Sequence, residues 1–423
     1  MVDRSVMPAV QPLKEIRFPI LIQKQLNNKV PVFFIQQGNV PILQISIVFY
    51  AGNTASIAKH IPIAANALIT EGTAHKTSQE IFDALDFYGA YLQTYCANEI
   101  ADVSLYTSVK HLEKVLPILY EVITEPAYPE SEIELWKQRH IEQLKVNKQK
   151  TSYLAGNAFK KALYPQHPYG YVMDEQDYSA VHQSELIQFH KDAYIPENSF
   201  ILVSGDEYDI DQVLEWLNRY WGHTSGRYFQ KPAIDLPQVQ TGTIHVPKSD
   251  AMQASLRIGA RMIHHAHPDY LKLKVLITAY GGYFGSRLMS NLREEKGYTY
   301  GVYASLIGLK QDSYLSIAAD VGIAVADDAI EQIKIEAQKL CNEPISQDEL
   351  EIVKNYMLGQ LTGDFETAFN TADYYKSLIT LGYDTQHLYQ FVDTIKQISA
   401  QDLYNLAQLY LDPTQWIYVK AGG

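Results

Sequence analysis

Cysteine is almost missing from this 423-residue chain: Cys96 and Cys341 are the two it has, too few for a disulfide framework or a thiolate metal cluster. Basic charge is short as well. Thirty-five Lys and Arg stand against 48 Asp and Glu, a net charge of −13, which disfavours both a phosphate backbone and an anionic lipid surface as partner. Nucleic acid and membrane are set aside on that ground. No stretch approaches the roughly 18 consecutive apolar residues of a bilayer span. The first thirty residues carry Asp3, Arg4, Lys14, Glu15, Arg17, Lys24 and Lys29, and their longest apolar run, FPILI, is too short for a secretory signal core. The sequence therefore reads as cytoplasmic, or periplasmic had a leader been trimmed. Also missing are a nucleophile triad, a phosphate loop and any His-x-x-Glu-His or His-x-x-x-His spacing.

What is present is a globular composition, 47% hydrophobic and 20% charged, with 31 tyrosines. Tyrosine buries area while keeping a polar tip, and it is frequent on surfaces that bind another chain. The length asks for two or three domains, and internal repetition decides between them. ALIT at 67–70 matches VLIT at 275–278, and YGAYL at 88–92 falls on KGYTY at 296–300 with the same offset. EPAYPESEIELWKQRHIEQL, from Glu125, resembles EPISQDELEIVKNYMLGQL, from Glu343. SELIQFHKDAYIPENSFILVSG at 184–205 parallels AQDLYNLAQLYLDPTQWIYVKAG near the end. Four anchors in one order give two homologous domains, 1–222 and 241–423, joined by a Gly-, Pro- and polar-rich linker at 223–240.

Both structural periods occur in each half. VPVFFIQQ and VPILQISIVFYAG read as strands, with Gly38 and Asn39 forming a hairpin-like turn between them. TSQEIFDALDFYG opens with a capping box, Thr77 and Glu80, and stops at Gly89. Ser131 with Glu134 and Ser346 with Glu349 predict two further boxes. LQTYCANEIADVSLYTS returns to strand period. The pattern predicts an α+β fold in which each domain is a sheet covered by helices.

Chemistry-bearing residues are sparse. His264, His265 and His267 form the one histidine cluster, but no carboxylate or cysteine stands at ligand spacing, so the reading is a strand end rather than a metal site. HPYG at 167–170 is a turn whose histidine serves a loop hydrogen bond. Gly281, Gly282 and Gly285 are not spaced as a phosphate cradle and predict close packing of a helix instead. SRLMSNLREEKG predicts a helix closed at Gly297, and YTYGVYA a strand with Tyr298, Tyr300 and Val302 on one face. Arg293 and Tyr300 would then be presented together.

HPDYLKLKVLITAYGGYFGSRLMSNLREEKGYTYGVYAS resembles the C-terminal domain of the pitrilysin/insulinase-type zinc peptidases, the inverzincins, which include mitochondrial processing peptidases and respiratory-chain core proteins. The resemblance covers nearly the whole chain, duplication included. It implies the LuxS/processing-peptidase-like metallohydrolase fold, duplicated in one chain. It also implies that two such chains, or one fused chain, close like a clamshell around a peptide. In that family an Arg-x6-Tyr pair from one half binds the substrate's backbone carbonyl; Arg293 and Tyr300 match it.

The N-terminal domain departs from the family pattern. Aligned through Gly72 and Thr73, Ile63 and Ala67 stand where the two zinc histidines belong, Asn66 where the general base belongs, and Gln143 where the distal glutamate belongs. A hydrolytic zinc needs three protein ligands and a base, and these four positions offer none. Glu142 is adjacent, but one residue on a helix turns about 100 degrees away. The resemblance therefore implies a non-catalytic, substrate-binding subunit of a heteromeric zinc endopeptidase. No cofactor is expected in this chain. Zinc is expected in a homologous catalytic partner bearing His-x-x-Glu-His, with a peptide as substrate; whether the chain in isolation uses the partner surface for a homodimer is left open by the sequence. The alternative is a peptide-binding or scaffold protein, like the core proteins, with no proteolytic role.

Overall fold

A computed structural model describes residues 16–223 and 228–423; the start of the first expected domain and residues 224–227 of the expected linker lie outside it. The first half begins with strands β1 (Ile22–Gln25), β2 (Pro31–Gln36) and β3 (Ile42–Phe49), then helices α1 (His60–Ala67) and α2 (Ser78–Asp86). The hairpin β4 (Tyr91–Cys96) and β5 (Ala101–Ser108) follows, then α3 (Leu112–Thr124), α4 (Glu130–Asn147), α5 (Thr151–Leu163), α6 (Glu175–Ser179) and α7 (Gln183–Ala193). Strand β6 (Ser199–Gly205) and helix α8 (Ile210–Trp221) close the half. The second half opens with β7 (Gly242–Val246), β8 (Gln253–Gly259), the short β9 (Arg261–Met262) and α9 (Tyr270–Ile277). It continues with the hairpin β10 (Thr299–Gly308) and β11 (Ser313–Gly322), and helices α10 (Ala326–Asn342), α11 (Gln347–Gly363), α12 (Ala368–Leu381), α13 (Gln386–Gln397) and α14 (Ala400–Tyr410), before β12 (Ile417–Ala421). Between Trp221 and Gly242 the described residues hold no helix or strand. No helix among the described residues is long and apolar enough to cross a membrane.

Two sheets result, and their orders carry the duplication. The first runs β1-β2-β6-β3-β5-β4, the second β7-β12-β8-β11-β10 with β9 added beside β11. From β2 onward the two orders correspond strand for strand. In both, the last strand of the half pairs parallel with the first of the series, β6 with β2 and β12 with β7, while the other ladders are antiparallel. That arrangement corrects the expected hairpin at Gly38 and Asn39: β2 and β3 are not neighbours, because β6 lies between them. A local turn signal cannot register a strand that arrives 160 residues later.

Alternation along β3 shows how a sheet face is chosen. Leu43, Ile45, Ile47 and Phe49 enter the core under α2, α3 and α8, burying apolar area at about 25 cal/mol per Å². Gln44 and Ser46 face the other way and are satisfied by neighbours: Ser46 bonds Ser104 at 2.7 Å, and the Gln44 amide reaches Tyr106 at 3.0 Å. That second face is covered by a helix from the other half. Ile379 of α12 packs on Val48 and Phe200 of the first sheet. Reciprocally, Ala155, Phe159 and Leu163 of α5 pack on Ile417, Val419 and Ala421 of the second sheet. Each sheet is thus sandwiched between its own helices and one exchanged from its twin.

The capping boxes divide. Thr77 and Glu80 form both reciprocal bonds. Ser131 does not cap: α4 starts one residue earlier, at Glu130, with Pro129 as its N-cap. Ser346 accepts from the Glu349 amide, but the Glu349 carboxylate is engaged by Arg287 at 2.8 and 3.0 Å, a bidentate pair stronger than the cap it forgoes.

The halves also meet through a polar junction. Glu99, in the turn before β5, accepts from Thr54 at 3.1 Å and lies 3.8 Å from the ammonium of Lys231, whose amine sits over the Tyr50 ring as Lys310 does. Burial pulls the Lys231 amine down to about 8, with Lys310 adding to the fall and Glu99 opposing it. An unfolded lysine keeps its proton up to about 10.4, so between these values the unfolded chain binds more protons and this group favours folding increasingly as pH rises. Urea midpoints at pH 7.5 and 9.5 are expected to show wild type gaining on Lys231→Met across that interval. Parallel midpoints would contradict the assignment.

Candidate functional site

Helix α9 does not end as an α-helix. Its coil widens into a π turn over Thr278–Gly282, and after a bend a second π turn spans Met289–Glu295, a geometry frequent at functional sites. The sequence pattern predicted an ordinary helix here; the wider winding is registered in Lys296 N–H donating to Asn291 O at 3.0 Å, five residues back. The segment is pinned from within. Leu288, Met289 and Leu292 are fully buried, the Asn291 amide donates to Glu336 at 2.7 Å, and the bidentate Arg287 pair fixes its start. Gly281 lets β10 close on it, since a β-carbon there would stand 2.6 Å from that of Ala304. Gly297, at φ +65°, turns the chain into β10, a conformation glycine adopts without strain.

With its inner face anchored, the second π turn presents Arg293 outward. The guanidinium carbon lies 4.2 Å from the centroid of Phe284 and 5.2 Å from that of Tyr300. This is a stacked cation, held in place by π faces. No carboxylate among the described residues pairs with it. Tyr300 is 90% exposed, and its hydroxyl has no partner among the described residues. Arg293 and Tyr300 are therefore brought together, as the sequence predicts.

The predicted face is different, however. In a regular strand Tyr300 would share the side of Val302, which is fully buried. Between Thr299 and Val302 β10 advances three residues while β11 advances two, from Val321 to Ala319. This β-bulge reverses the alternation and turns Tyr300 out to join Tyr303. Among the described residues strand β10 is also the sheet's open edge, with its outer backbone groups unpaired by any other strand.

Beside the pair lies a groove of about 710 Å³, lined by Tyr298, Tyr300, Tyr303, Arg257 and Asp320 among others. Burial lowers the Arg257 guanidinium's pKa and Asp320 raises it. Phe284, Tyr303 and Arg257 escaped the sequence reading. Arg257 had a signal: in ASLRIG the residues Ala254, Leu256 and Ile258 are core, so an arginine on the alternate positions had to face something polar or open.

The four positions that the resemblance assigns to a degenerate zinc site lie in the other half. Ile63 and Ala67 are half-buried on α1, in a cluster with Ala64, Leu68, Ile133 and Trp136. Asn66 is buried and donates its amide to the Asp102 carbonyl at 3.1 Å, tying α1 to β5. The α4 residues in this cluster are Ile133 and Trp136; Gln143 is exposed and donates to Asn147 at 3.2 Å. Two aliphatic side chains and two hydrogen-bonded amides do not fit zinc, which takes thiolate, imidazole or carboxylate. Among the described residues no three His, Cys, Asp or Glu side chains group as a metal site. The histidine cluster is engaged elsewhere: His264 and His265 both bond the Lys310 carbonyl, at 3.0 and 3.3 Å, and His265 also bonds Tyr383. His167, as expected, serves its turn, accepting from the Tyr169 amide at 3.1 Å.

Counting back by the repeat offset, the first-half counterparts of Arg293 and Tyr300 are Leu85, a core residue, and Leu92. One copy of the duplicated unit carries the arginine and tyrosine, and the other carries leucine at both places.

Fold and site together define a duplicated, metallopeptidase-like architecture in which the residues at the expected zinc positions do not fit a zinc. Residues 180–357 match the family described as the Peptidase M16 inactive domain. An uncharacterized zinc protease, YmxG, of Bacillus subtilis is 25% identical over 70% of this chain and 72% of its own length. The non-peptidase homolog YmxG of Helicobacter pylori is 21% identical over 93% of this chain and 92% of its own. The crystal structure of a peptidase M16 inactive domain from Pseudomonas fluorescens superimposes with a TM-score of 0.85, at 21% identity, over 95% of this chain and 98% of that one. The chain is thus similar over residues 180–357 to the M16 inactive domain, and over most of its length to proteins named as a zinc protease and as a non-peptidase homolog.

Proposed function

We propose that this chain is the substrate-clasping subunit of a two-chain zinc endopeptidase, paired with a homologous subunit that holds the metal. The observation that carries this is the contrast within one polypeptide: Arg293, unpaired by any described carboxylate and stacked between Phe284 and Tyr300, beside zinc positions filled by Ile63, Asn66, Ala67 and Gln143. A guanidinium held ready at a surface has no folding task that needs its charge.

The partner's zinc would supply the activated water. This chain's part is electrostatic. Arg293 donates charge-assisted hydrogen bonds, and Tyr300 a phenolic one, to the carbonyl oxygen on which charge grows during attack. The peptide is held as an added strand in the chamber between subunits, where backbone pairing accepts varied sequences.

Co-expression with a similar-sized chain bearing His-x-x-Glu-His is expected to yield a stable complex that cleaves an unstructured peptide and loses activity to a chelator. The name of the Helicobacter relative, a non-peptidase homolog, favours a second reading as a peptide-binding scaffold. A complex that forms but never cleaves would select that reading.

A further inference from the structure

A cavity of about 450 Å³ opens on the outer face of the first sheet, and none of its lining residues belongs to the site described above. Its floor is Ile47 and Phe49 of β3 with Ile201 of β6; its walls are Ile123 at the end of α3, Tyr194 just after α7 and Trp221 at the end of α8. All six are apolar or aromatic and buried. A sheet face of this kind is normally closed by side chains of the helix layer; here α3 and α8 pack on each other through Tyr120, Tyr220 and Trp221, and the cavity opens beside their ends and α7.

Of the polar groups lining the cavity, His190 and Thr124 are engaged, while the buried Tyr194 hydroxyl has no hydrogen-bond partner among the described residues. His190 bonds the Ile123 carbonyl at 2.7 Å through Nε2, and burial pulls its imidazole down to about 4, so it is neutral. Thr124 donates to the Tyr120 carbonyl at 2.7 Å. Water in the cavity would find few of the two to four partners it needs. The rim differs. Glu125 is paired with His75 at 3.1 Å, whereas Lys191 is exposed and has no carboxylate partner among the described residues. The mouth therefore offers, above an apolar well, an exposed ammonium at Lys191 with no carboxylate in salt-bridge reach among the described residues.

We propose that this cavity binds a single-chain amphiphile with an anionic head, of the fatty-carboxylate class, with its tail against Ile47, Ile201 and Trp221 and its head at Lys191. At about 30 Å³ per water-sized group the space holds on the order of 15 such groups, a chain of roughly ten to fourteen carbons. The chain's net negative charge does not forbid this, because exposed charges more than about 10 Å away are largely screened at physiological salt.

The test is titration of the full chain with octanoate, decanoate and dodecanoate below their micellar concentrations. It is read by tryptophan emission and by displacement of 1-anilinonaphthalene-8-sulfonate. Saturable one-to-one binding is expected, tightening about fourfold per added methylene as apolar area is buried. Lys191→Glu is expected to weaken dodecanoate tenfold or more and to leave dodecanol unchanged. Ile201→Phe, which fills the floor, is expected to abolish both; Ala74→Trp, at an exposed rim position, serves the same purpose without touching the core. Absence of saturable binding, affinity indifferent to chain length, or dodecanoate binding that survives Lys191→Glu or Ala74→Trp unchanged would overturn the proposal.

Discussion

Replacing Arg293 with alanine is expected to lower peptide cleavage by the reconstituted pair about 10²- to 10³-fold, the loss found when one preorganised oxyanion donor is removed. The argument rests on how little else Arg293 does. Its charge pairs with no carboxylate among the described residues, and its contacts are the faces of Phe284 and Tyr300. The fold and the complex should therefore survive the substitution, with a stability change of about 0.5 kcal/mol or less. Because the carbonyl oxygen gains charge only as the bond is attacked, the loss should fall on kcat more than on KM. Tyr300→Phe removes one neutral donor and should cost about tenfold, in line with the roughly 1 kcal/mol of an ordinary hydrogen bond. Arg293→Lys keeps the charge but not the forked geometry, and should fall between wild type and alanine. An intact complex with unchanged kcat in Arg293→Ala would remove the role assigned to the pair.

The second large effect concerns stability. Lys376, on the exchanged helix α12, reaches across to Asp102 on β5 at 2.9 Å, with side-chain exposures of 12% and 2%. The carboxylate is the more deeply buried partner, and burial raises its pKa despite the opposing pull of Lys376 and Ser104. For the ammonium, burial acts downward, but the charges of Asp102 and Asp373 outweigh it, and the group stays protonated. Lys376→Met would leave a buried carboxylate without its counter-charge, at a cost of about 3–5 kcal/mol. The double variant Asp102→Leu with Lys376→Met should recover most of that loss, since apolar replacement of a whole buried pair is often neutral. Because α12 belongs to the second half in sequence and covers the first sheet in space, the Lys376→Met loss should appear in both halves' unfolding at one urea midpoint. An unfolding free energy within about 1 kcal/mol of wild type would show that the pair does not tie the halves together.

How far the molecule could be read from its sequence follows from the range of each interaction. The duplication was legible because both halves retain the same anchors in the same order, and the matching strand orders of the two sheets are its physical form. Thr77 and Glu80 were legible because a capping box is closed within four residues. Arg293 and Tyr300 were legible as a pair through the family resemblance, yet their presentation was not: the π turn and the bulge at Tyr300 are set by the Asn291 and Glu336 bond and by the register against β11, both tertiary. The hairpin expected at Gly38 failed for the same reason, since the competing partner β6 is far along the chain. Helices were expected to cover each sheet, and an apolar stripe states that much. It does not state whose sheet. The failed cap at Ser131 shows a local rule losing to Pro129, which stands at the N-cap with Glu130 the first residue of the helix.

The central claim is that this polypeptide keeps a substrate clasp while lacking the groups that grip zinc. The measurement that tests it most directly is peptide hydrolysis by the purified chain alone, with bound metal quantified in the same sample. No stoichiometric zinc and no cleavage until a His-x-x-Glu-His partner is added is the predicted result. One zinc per chain, with chelator-sensitive cleavage in the partner's absence, would contradict it.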